Sequence, residues 1–234
     1  MTSEVTTRAG AGALRVLVMA KAPVPGVSKT RLAATIGDDA AAEVAAAALI
    51  DTLAAAAEAV GSAACVLALA GDLDDGAATA ELRAALTGWT VLPQRGDGFD
   101  ERLANAHHDA GDGPVLQVGM DTPQMTAAHL HAAGSVLETH DTVLGAAEDG
   151  GWWVLGRRDA AAAEALRGVE MSTSTTYDDT REALLGRGLS VAPTAVLNDV
   201  DEYADAVAVA QQAPDTRFAR TWAAAASLAA GAGR

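Results

Sequence analysis

The chain has 234 residues, half of them hydrophobic but only 3% aromatic, which suits one large α/β domain with a core built mainly from Ala, Val and Leu. Its formal charge of −15, from 31 acidic and 16 basic side chains, argues against nucleic-acid binding, which requires an extended basic surface. The single cysteine, Cys65, excludes an intrachain disulfide. We therefore expect a cytoplasmic protein that binds small molecules, with a homodimer as a candidate assembly.

The sequence contains no uninterrupted apolar run of the roughly 18 residues that a membrane helix requires. The segment 40–60 comes closest, but Glu43, Asp51 and Glu58 interrupt it and indicate a soluble helix. Residues 1–12 also lack the long apolar segment of a signal peptide. We predict a flexible N-terminus over residues 1–13 and a single domain over residues 14–234.

Apolar runs and amphipathic segments alternate along the chain, which predicts strands and helices in alternation. The predicted strands begin at residue 14 and then cover 63–70, 89–93, 114–120, 142–147, 152–156 and about 189–192. The predicted helices run from 38 or 39 to about 60 and then cover 77–86, 99–109, 126–139, 176–185, 202–212 and 217–230. This alternation favours right-handed βαβ crossovers and an open sheet with a ligand site at the carboxyl ends of the strands.

The loop after the first strand concentrates positive charge in an acidic chain. Lys21, Lys29 and Arg31 supply the cations, and prolines and a glycine restrict the loop between them. Strand, loop and helix in this order are typical of phosphate binding, although a solvated surface turn is the alternative. The loop has neither a Walker A pattern nor a GxGxxG fingerprint, so P-loop ATPase chemistry and dinucleotide binding of the usual type are disfavoured.

Three aspartates are candidate metal ligands. Asp121 follows the fourth predicted strand, and Asp199 and Asp201 alternate in an extended segment, so that their side chains can project to one side. Carboxylate oxygens suit Mg²⁺ or Mn²⁺, which keep open positions for nucleotide phosphates. Each aspartate could instead form a turn or cap a helix, and Asp201 in particular could cap the helix that begins at 202.

The segment 148–156, EDGGWWVLG, combines an acidic turn with two of the four tryptophans. Asp149 follows the fifth predicted strand, and the glycines would admit a ligand closely. Trp152 and Trp153 point to opposite faces of a strand, so that one can pack in the core while the other lines a pocket, with both in the core as the alternative. The Ser/Thr-rich segment 171–180 favours helix capping, and the five histidines show no zinc-like spacing and are interpreted as surface or helix residues.

Together, the runs AKAPVPGVSKTRL, QRGDGFDERLANA, GMDTP, VLGAAEDGGWWVLG, MSTS and NDVD resemble the DUF2064 family over about residues 16–205. That family comprises bacterial relatives of 2-phospholactate guanylyltransferase and of GT-A glycosyltransferases. The resemblance implies the GT-A nucleotide-diphospho-sugar transferase fold, a Rossmann-like three-layer αβα sandwich with a mostly parallel sheet. This chain has Trp152 and Trp153 where the family usually has an aromatic pair with tyrosine.

The resemblance also implies roles for individual residues. It places the cations of the first loop at the nucleotide phosphates, Asp121 at the metal and nucleotide, and the late acidic pair at the metal. The nucleotide-binding residues expected are Lys21, Pro25, Gly26, Lys29, Thr30, Arg31 and Asp121. The acceptor-binding residues expected are Gly150, Gly151, Trp152, Ser172 and Thr173. The catalytic residues expected are Lys29 and Asp149, and the metal ligands expected are Asp121, Asp199 and Asp201.

Two reactions fit such a site. The leading expectation is a metal-dependent glycosyltransferase that moves a sugar from a nucleoside-diphosphate sugar to a small-molecule acceptor, with a carboxylate such as Asp149 assisting the attacking hydroxyl. The alternative is a nucleotidyltransferase that joins a nucleoside triphosphate to a small phosphorylated acceptor and releases pyrophosphate, which the cations of the first loop favour. A third hypothesis is a catalytically silent nucleotide-binding protein.

Overall fold

The structure, a computed structural model, describes residues 12–232. Most of the predicted flexible segment 1–13 therefore lies outside the described residues. The strands are β1 (Arg15–Lys21), β2 (Cys65–Ala70), β3 (Thr90–Pro93), β4 (Val115–Val118), β5 (Thr142–Ala146), β6 (Trp152–Arg157) and β7 (Val191–Pro193). The α-helices are α1 (Thr30–Ile36), α2 (Asp38–Val60), α3 (Thr79–Ala85), α4 (Phe99–Asp109), α5 (Ala127–Val136), α6 (Thr176–Gly186), α7 (Tyr203–Gln212) and α8 (Arg217–Ala232).

The strands form one seven-stranded sheet in the order β3-β2-β1-β4-β6-β5-β7. All paired neighbours are parallel except β6, which runs antiparallel to both β4 and β5. Helices cover both faces, so the predicted α/β class and the mostly parallel, three-layer αβα sandwich are confirmed. The polarity of β6 follows from its short turn after β5, because a parallel pair would need a crossover connection.

Each face of the sheet has its own apolar core. On one face, Leu49 and Leu53 of α2 and Leu130 of α5 pack with Val16 and Val18 of β1. On the other face, the side chains of β1 pack with α4, α6 and a 3₁₀ helix at Ala160–Leu166. The apolar residues of β1 are buried on both sides, which explains its continuous apolar run.

Helix α2 is long and apolar enough to cross a membrane by length and composition alone. In the fold, 67% of its most apolar window is buried inside the protein. Its buried alanines and leucines pack against the sheet and against α8, so the helix is a core element of the sandwich, as the interrupting acidic residues predict.

Three local predictions were wrong. The short helix α1, which continues the basic loop, was not predicted, and it ends at Gly37. Helix α2 then follows directly, so Gly37 is its N-cap, while Asp38 and Asp39 lie in the first turn. Strand β4 ends at Val118 rather than near 120, which leaves Asp121 three residues into the following loop.

Candidate active site

The carboxyl ends of β1 and β4 and the turn between β5 and β6 meet at one edge of the sheet and enclose a cavity of about 510 Å³. Its walls are formed by α4 and by the segment that leads into α6. Of the residues expected from the sequence, those that line the cavity are Lys21, Arg31, Asp121, Asp149, Gly151, Trp152, Ser172, Asp199 and Asp201. Nine of the expected site residues, spread over about 180 positions of the sequence, therefore line one cavity. They meet because the carboxyl ends of the strands bring their loops to the same rim.

Backbone and side-chain hydrogen bonds join the loop around Asp121 to the segment around Asp199. The amide of Val200 donates to the Asp121 carbonyl at 2.9 Å, and the Gln124 side chain donates to the Asn198 carbonyl at 2.5 Å. The Thr122 hydroxyl donates to Asp199 Oδ1 at 2.7 Å. These bonds fix the segment around Asp199 beside the loop that follows β4.

Lys29 is an ion-pair partner of two of these carboxylates. Its Nζ lies 2.7 Å from Asp121 Oδ2 and 2.7 Å from Asp201 Oδ1, and its side chain is only 10% exposed. Burial alone would lower the pKa of Lys29, but the two aspartates overcome this effect and raise it. The same ammonium lowers the pKa of the Asp201 carboxyl against the opposing effect of its burial. Asp201 is thus held by Lys29, and the N-cap of α7 is Glu202 instead.

Asp199 lies in an electrostatically crowded position. Its pKa is raised to about 7, chiefly by burial, then by the negative charge of Asp121 and to a smaller extent by that of Asp149. The Thr122 hydrogen bond and the Lys29 ammonium act in the opposite direction. A concentration of negative charge of this kind is stabilised by a cation.

Two of the carboxylates could bind a hard divalent cation whose remaining coordination positions are filled by a bound substrate. Across residues 12–232, no group of three or more His, Cys, Asp or Glu side chains is placed so that it could hold a metal ion, so the expected set of Asp121, Asp199 and Asp201 does not form such a group. Asp121 and Asp199 each use one oxygen in the bonds above and keep a second oxygen, and both line the cavity. Mg²⁺ in nucleotide sites characteristically uses one or two carboxylates together with substrate phosphates, which matches this donor set.

The basic loop contributes its cations unequally. Lys21 and Arg31 are exposed and line the cavity, while Lys29 and Thr30 line an adjoining groove of about 580 Å³ that shares Lys21, Arg31, Asp121 and Asp201 with it. Pro25 and Gly26 line neither space. Gly26 has a φ of +73°, so it shapes the turn of the loop.

The turn at residues 148–151 contacts the segment that leads into α6. Asp149 Oδ1 accepts from the Gly151 amide at 2.8 Å, and the Gly150 carbonyl accepts from the Tyr177 amide at 2.8 Å. Gly150 has a φ of +91°, and a Cβ there would collide with the Ser174 carbonyl. Gly150 itself and Thr173 do not line the cavity, whereas Ser172 does.

The two adjacent tryptophans divide as the alternation of a strand predicts. Trp153 is buried in the core and its indole donates to the Ala195 carbonyl at 2.7 Å. Trp152 lines the cavity and donates to the Thr180 hydroxyl at 3.2 Å. The hypothesis that both tryptophans lie in the core is therefore wrong.

Gln94, Phe99, Arg102 and Met171 are among twelve further cavity residues that were not predicted from the sequence. Gln94 directly follows β3, and Phe99 and Arg102 lie in the first turn of α4. Met171 is the first residue of the Ser/Thr-rich segment. The first three lie in the run QRGDGFDERLANA, which contributed to the family resemblance but received no role. A Gln and an Arg flanking glycines at a strand-to-helix junction were the available signal.

A second polar group is buried towards the opposite end of the sheet, where Arg157 pairs with Val115 at the start of β4. Arg157 is 1% exposed and donates to the carbonyls of His107, Gly111 and Gly113 at 2.6 to 2.8 Å. His107 is fully buried in α4, and burial, reinforced by the Arg157 charge, lowers its pKa to about 3. His107 is thus a helix residue, as expected, but one that lies in the interior.

Comparison with known families settles the relationship that the sequence runs suggested. The DUF2064 family, described as "Uncharacterized protein conserved in bacteria", matches residues 30–173. The chain belongs to the DUF2064 family. The matched region includes the basic helix α1, Asp121, the acidic turn with its tryptophans and Ser172. No curated protein sequence matches the chain.

Solved structures resemble this DUF2064 chain over most of its length. A candidate nucleotide-diphospho-sugar transferase from Desulfovibrio desulfuricans G20 has a TM-score of 0.77 and 26% identity, covering 91% of this chain and 93% of that one. The CMP:2-keto-3-deoxy-manno-octonic acid synthetase complexed with CTP has a TM-score of 0.52 and 11% identity, covering 87% and 100%. A candidate glucose-1-phosphate thymidylyltransferase from Bacillus anthracis has a TM-score of 0.51 and 10% identity, covering 88% and 99%. The DUF2064 chain therefore has a fold that nucleotide-using transferases share.

Proposed function

We propose that the protein is a metal-dependent transferase that takes a sugar from a nucleoside-diphosphate sugar and passes it to a small-molecule acceptor. The proposal rests on one observation: Lys21, Arg31 and a group of carboxylates line the same cavity, at the sheet edge where such folds bind ligands. The Desulfovibrio protein, which is similar over 91% of this chain, is named as a transferase that uses the same class of donor.

The cations are suited to the leaving group. Lys21 and Arg31 line the cavity on the side of the basic loop, where they would bind the diphosphate of the donor. A bound Mg²⁺ or Mn²⁺, held by Asp121 and Asp199, would neutralise further negative charge on the phosphates. Charge that develops on the departing nucleoside diphosphate is stabilised by groups already in position, which lowers the barrier.

The acceptor is activated from the opposite side. Asp149 lines the cavity, and its Oδ1 is fixed by the Gly151 amide. In the proposed step the acceptor hydroxyl oxygen bonds to the anomeric carbon of the sugar while the bond from that carbon to the phosphate oxygen breaks. The leaving nucleoside diphosphate takes the electron pair, and the hydroxyl proton passes to the Asp149 carboxylate.

Nucleotidyl transfer is the second candidate, because pyrophosphate is a more highly charged leaving group and two cations from the region that follows β1, Lys21 and Arg31, line the cavity. The pairing of Lys29 weakens this candidate. Lys29 is bound to Asp121 and Asp201, so the number of loop cations available to phosphate falls from the three expected from the sequence to Lys21 and Arg31. We therefore retain glycosyl transfer as the leading function.

The two reactions are separated by their donors. The melting temperature is measured with Mg²⁺ or Mn²⁺ against a panel of nucleoside triphosphates and nucleoside-diphosphate sugars. We expect a nucleoside-diphosphate sugar to raise the melting temperature most, because only bound ligands stabilise the folded state. A preference for a triphosphate over every nucleotide sugar would contradict glycosyl transfer and support nucleotidyl transfer, and no shift with either class would contradict both.

A further inference from the structure

Arg102 is a charged side chain in the cavity wall without a charged partner. It lies in the first turn of α4, and within the described residues its guanidinium has no ion pair and no hydrogen bond. Its Nε is buried and unsatisfied, and the guanidinium lies 5.5 Å from the centre of the Phe99 ring. A buried N–H without a partner is unfavourable, so this position favours a ligand that offers a hydrogen-bond acceptor.

Three charged neighbours of Arg102 in the sequence have other partners. Asp100 Oδ2 accepts from the Gly168 amide at 2.8 Å, and Glu101 Oε2 accepts from the Asp97 amide at 3.0 Å. Arg95, at the start of the same loop, is paired with Asp109 at 2.6 Å. Arg102 thus differs from a nearby arginine whose charge is neutralised on the surface.

Arg102 lies on a different element from Lys21 and Arg31, the cations proposed to bind the donor phosphates. Helix α4 is tied to the segment that precedes Ser172, through the Asp100 bond to Gly168 and a bond from Arg167 to the Asn105 side chain at 2.8 Å. Lys21, in contrast, is the last residue of β1 and Arg31 is the second residue of α1, so these two cations flank the basic loop. Arg102 therefore lies beside the segment of Ser172, where the acceptor is expected, although its neighbour Phe99 also borders the groove next to the basic loop.

We propose that Arg102 binds an anionic group of the acceptor, a carboxylate or a phosphate, and so selects acidic acceptors. A guanidinium can bind two oxygens of such a group with parallel hydrogen bonds, and the Phe99 ring supports its orientation. The inference rests on the proposed function, because it assumes that the nucleotide occupies the side of the basic loop.

Isothermal titration with small anions tests the proposal. The protein is saturated with Mg²⁺ and a nucleoside diphosphate, which occupies Lys21 and Arg31, and is then titrated with inorganic phosphate and with acetate. We expect at least one anion to bind, which identifies phosphate or carboxylate as the preferred group. Arg102→Met should weaken this binding by about tenfold or more, as expected for loss of a charge-assisted hydrogen bond, and Arg102→Lys should weaken it less.

The controls distinguish the acceptor from the donor. Arg95→Met removes a nearby arginine outside the cavity and should leave anion binding unchanged, and Arg102→Met should leave the affinity for the nucleoside diphosphate unchanged. Equal anion affinity in Arg102→Met and wild type, or no anion binding by wild type, would overturn the proposal. Weaker nucleoside diphosphate binding by Arg102→Met would overturn it in favour of a donor contact, whereas failure of every nucleotide to bind would contradict the proposed function itself.

Discussion

Lys29 connects the basic loop to both acidic segments of the site. Its backbone is in the left-handed region, with a φ of +50°, directly before α1, and its ammonium is paired with Asp121 and Asp201. A non-glycine residue in this region is uncommon and is maintained by its surroundings. The two ion pairs supply that constraint. Lys29 therefore positions the loop between Lys21 and Arg31.

Replacement of Lys29 should therefore destabilise the protein. Lys29→Met leaves two partly buried carboxylates unpaired, and because Asp201 is 46% exposed we expect a loss of about 1–3 kcal/mol in the free energy of unfolding. Urea denaturation measures this value. Arg31→Met is the control, since the Arg31–Glu202 pair is exposed and 3.9 Å long. Equal stability of the two variants would show that Lys29 has no positioning role.

His107 makes stability depend on pH. Its pKa is about 3 in the folded protein against an ordinary value of 6.5, so between these values the unfolded chain binds more protons and stability falls as the pH is lowered. Between pH 7 and pH 5 we expect this group to remove about 2 kcal/mol from the free energy of unfolding.

The measurement compares urea denaturation of wild type and His107→Gln at the two pH values. The variant should show the smaller decrease, because Gln does not titrate. His131→Gln, at an exposed position, should behave like wild type. An equal decrease in wild type and His107→Gln would contradict the assignment.

At the scale of the element, the turn between β5 and β6 approaches the segment that leads into α6 closely at Gly150. Gly150 combines a positive φ with a position where a Cβ would collide with the Ser174 carbonyl, whereas Gly168 has a φ of +84° and open space around its Cα. Both Gly150→Ala and Gly168→Ala introduce backbone strain of about 1 kcal/mol. Only Gly150→Ala also displaces the segment that carries Ser172.

We therefore expect Gly150→Ala to lower the melting temperature more than Gly168→Ala. Thermal denaturation followed by circular dichroism measures the difference between the two variants, in which the shared strain cancels. Equal melting temperatures would show that the segment moves aside without cost.

The sequence predicts the elements themselves well, and the exceptions have identifiable causes. Continuous apolar runs identify β1 and β2, and helix α4 was predicted with its observed ends. Helix α1 was missed because the prolines and glycine of the basic loop obscure a helix of only seven residues. It is stabilised by tertiary contacts, since Leu32 packs with Phe218 and Trp222 of α8.

At the scale of the whole molecule, the sheet order explains which parts of the site the sequence could reveal. Strand ends predict that Lys21, Asp121 and Asp149 share one edge, and all three line the cavity. The pairing of Lys29 with Asp121 and Asp201 spans 92 and 172 residues and depends on how α1 and the C-terminal segment pack. No local pattern carries that information, which is also why the burial of His107 was not predicted.

The central claim, that the cavity binds a nucleotide together with a divalent cation, is tested most directly by titrating a nucleoside diphosphate in the presence and absence of Mn²⁺. We expect wild type to bind more tightly with Mn²⁺, and Asp121→Ala to lose this enhancement. Asp97→Ala, which replaces an exposed aspartate outside the cavity lining, should retain it. Mn²⁺-enhanced binding that is unchanged in Asp121→Ala would contradict the account.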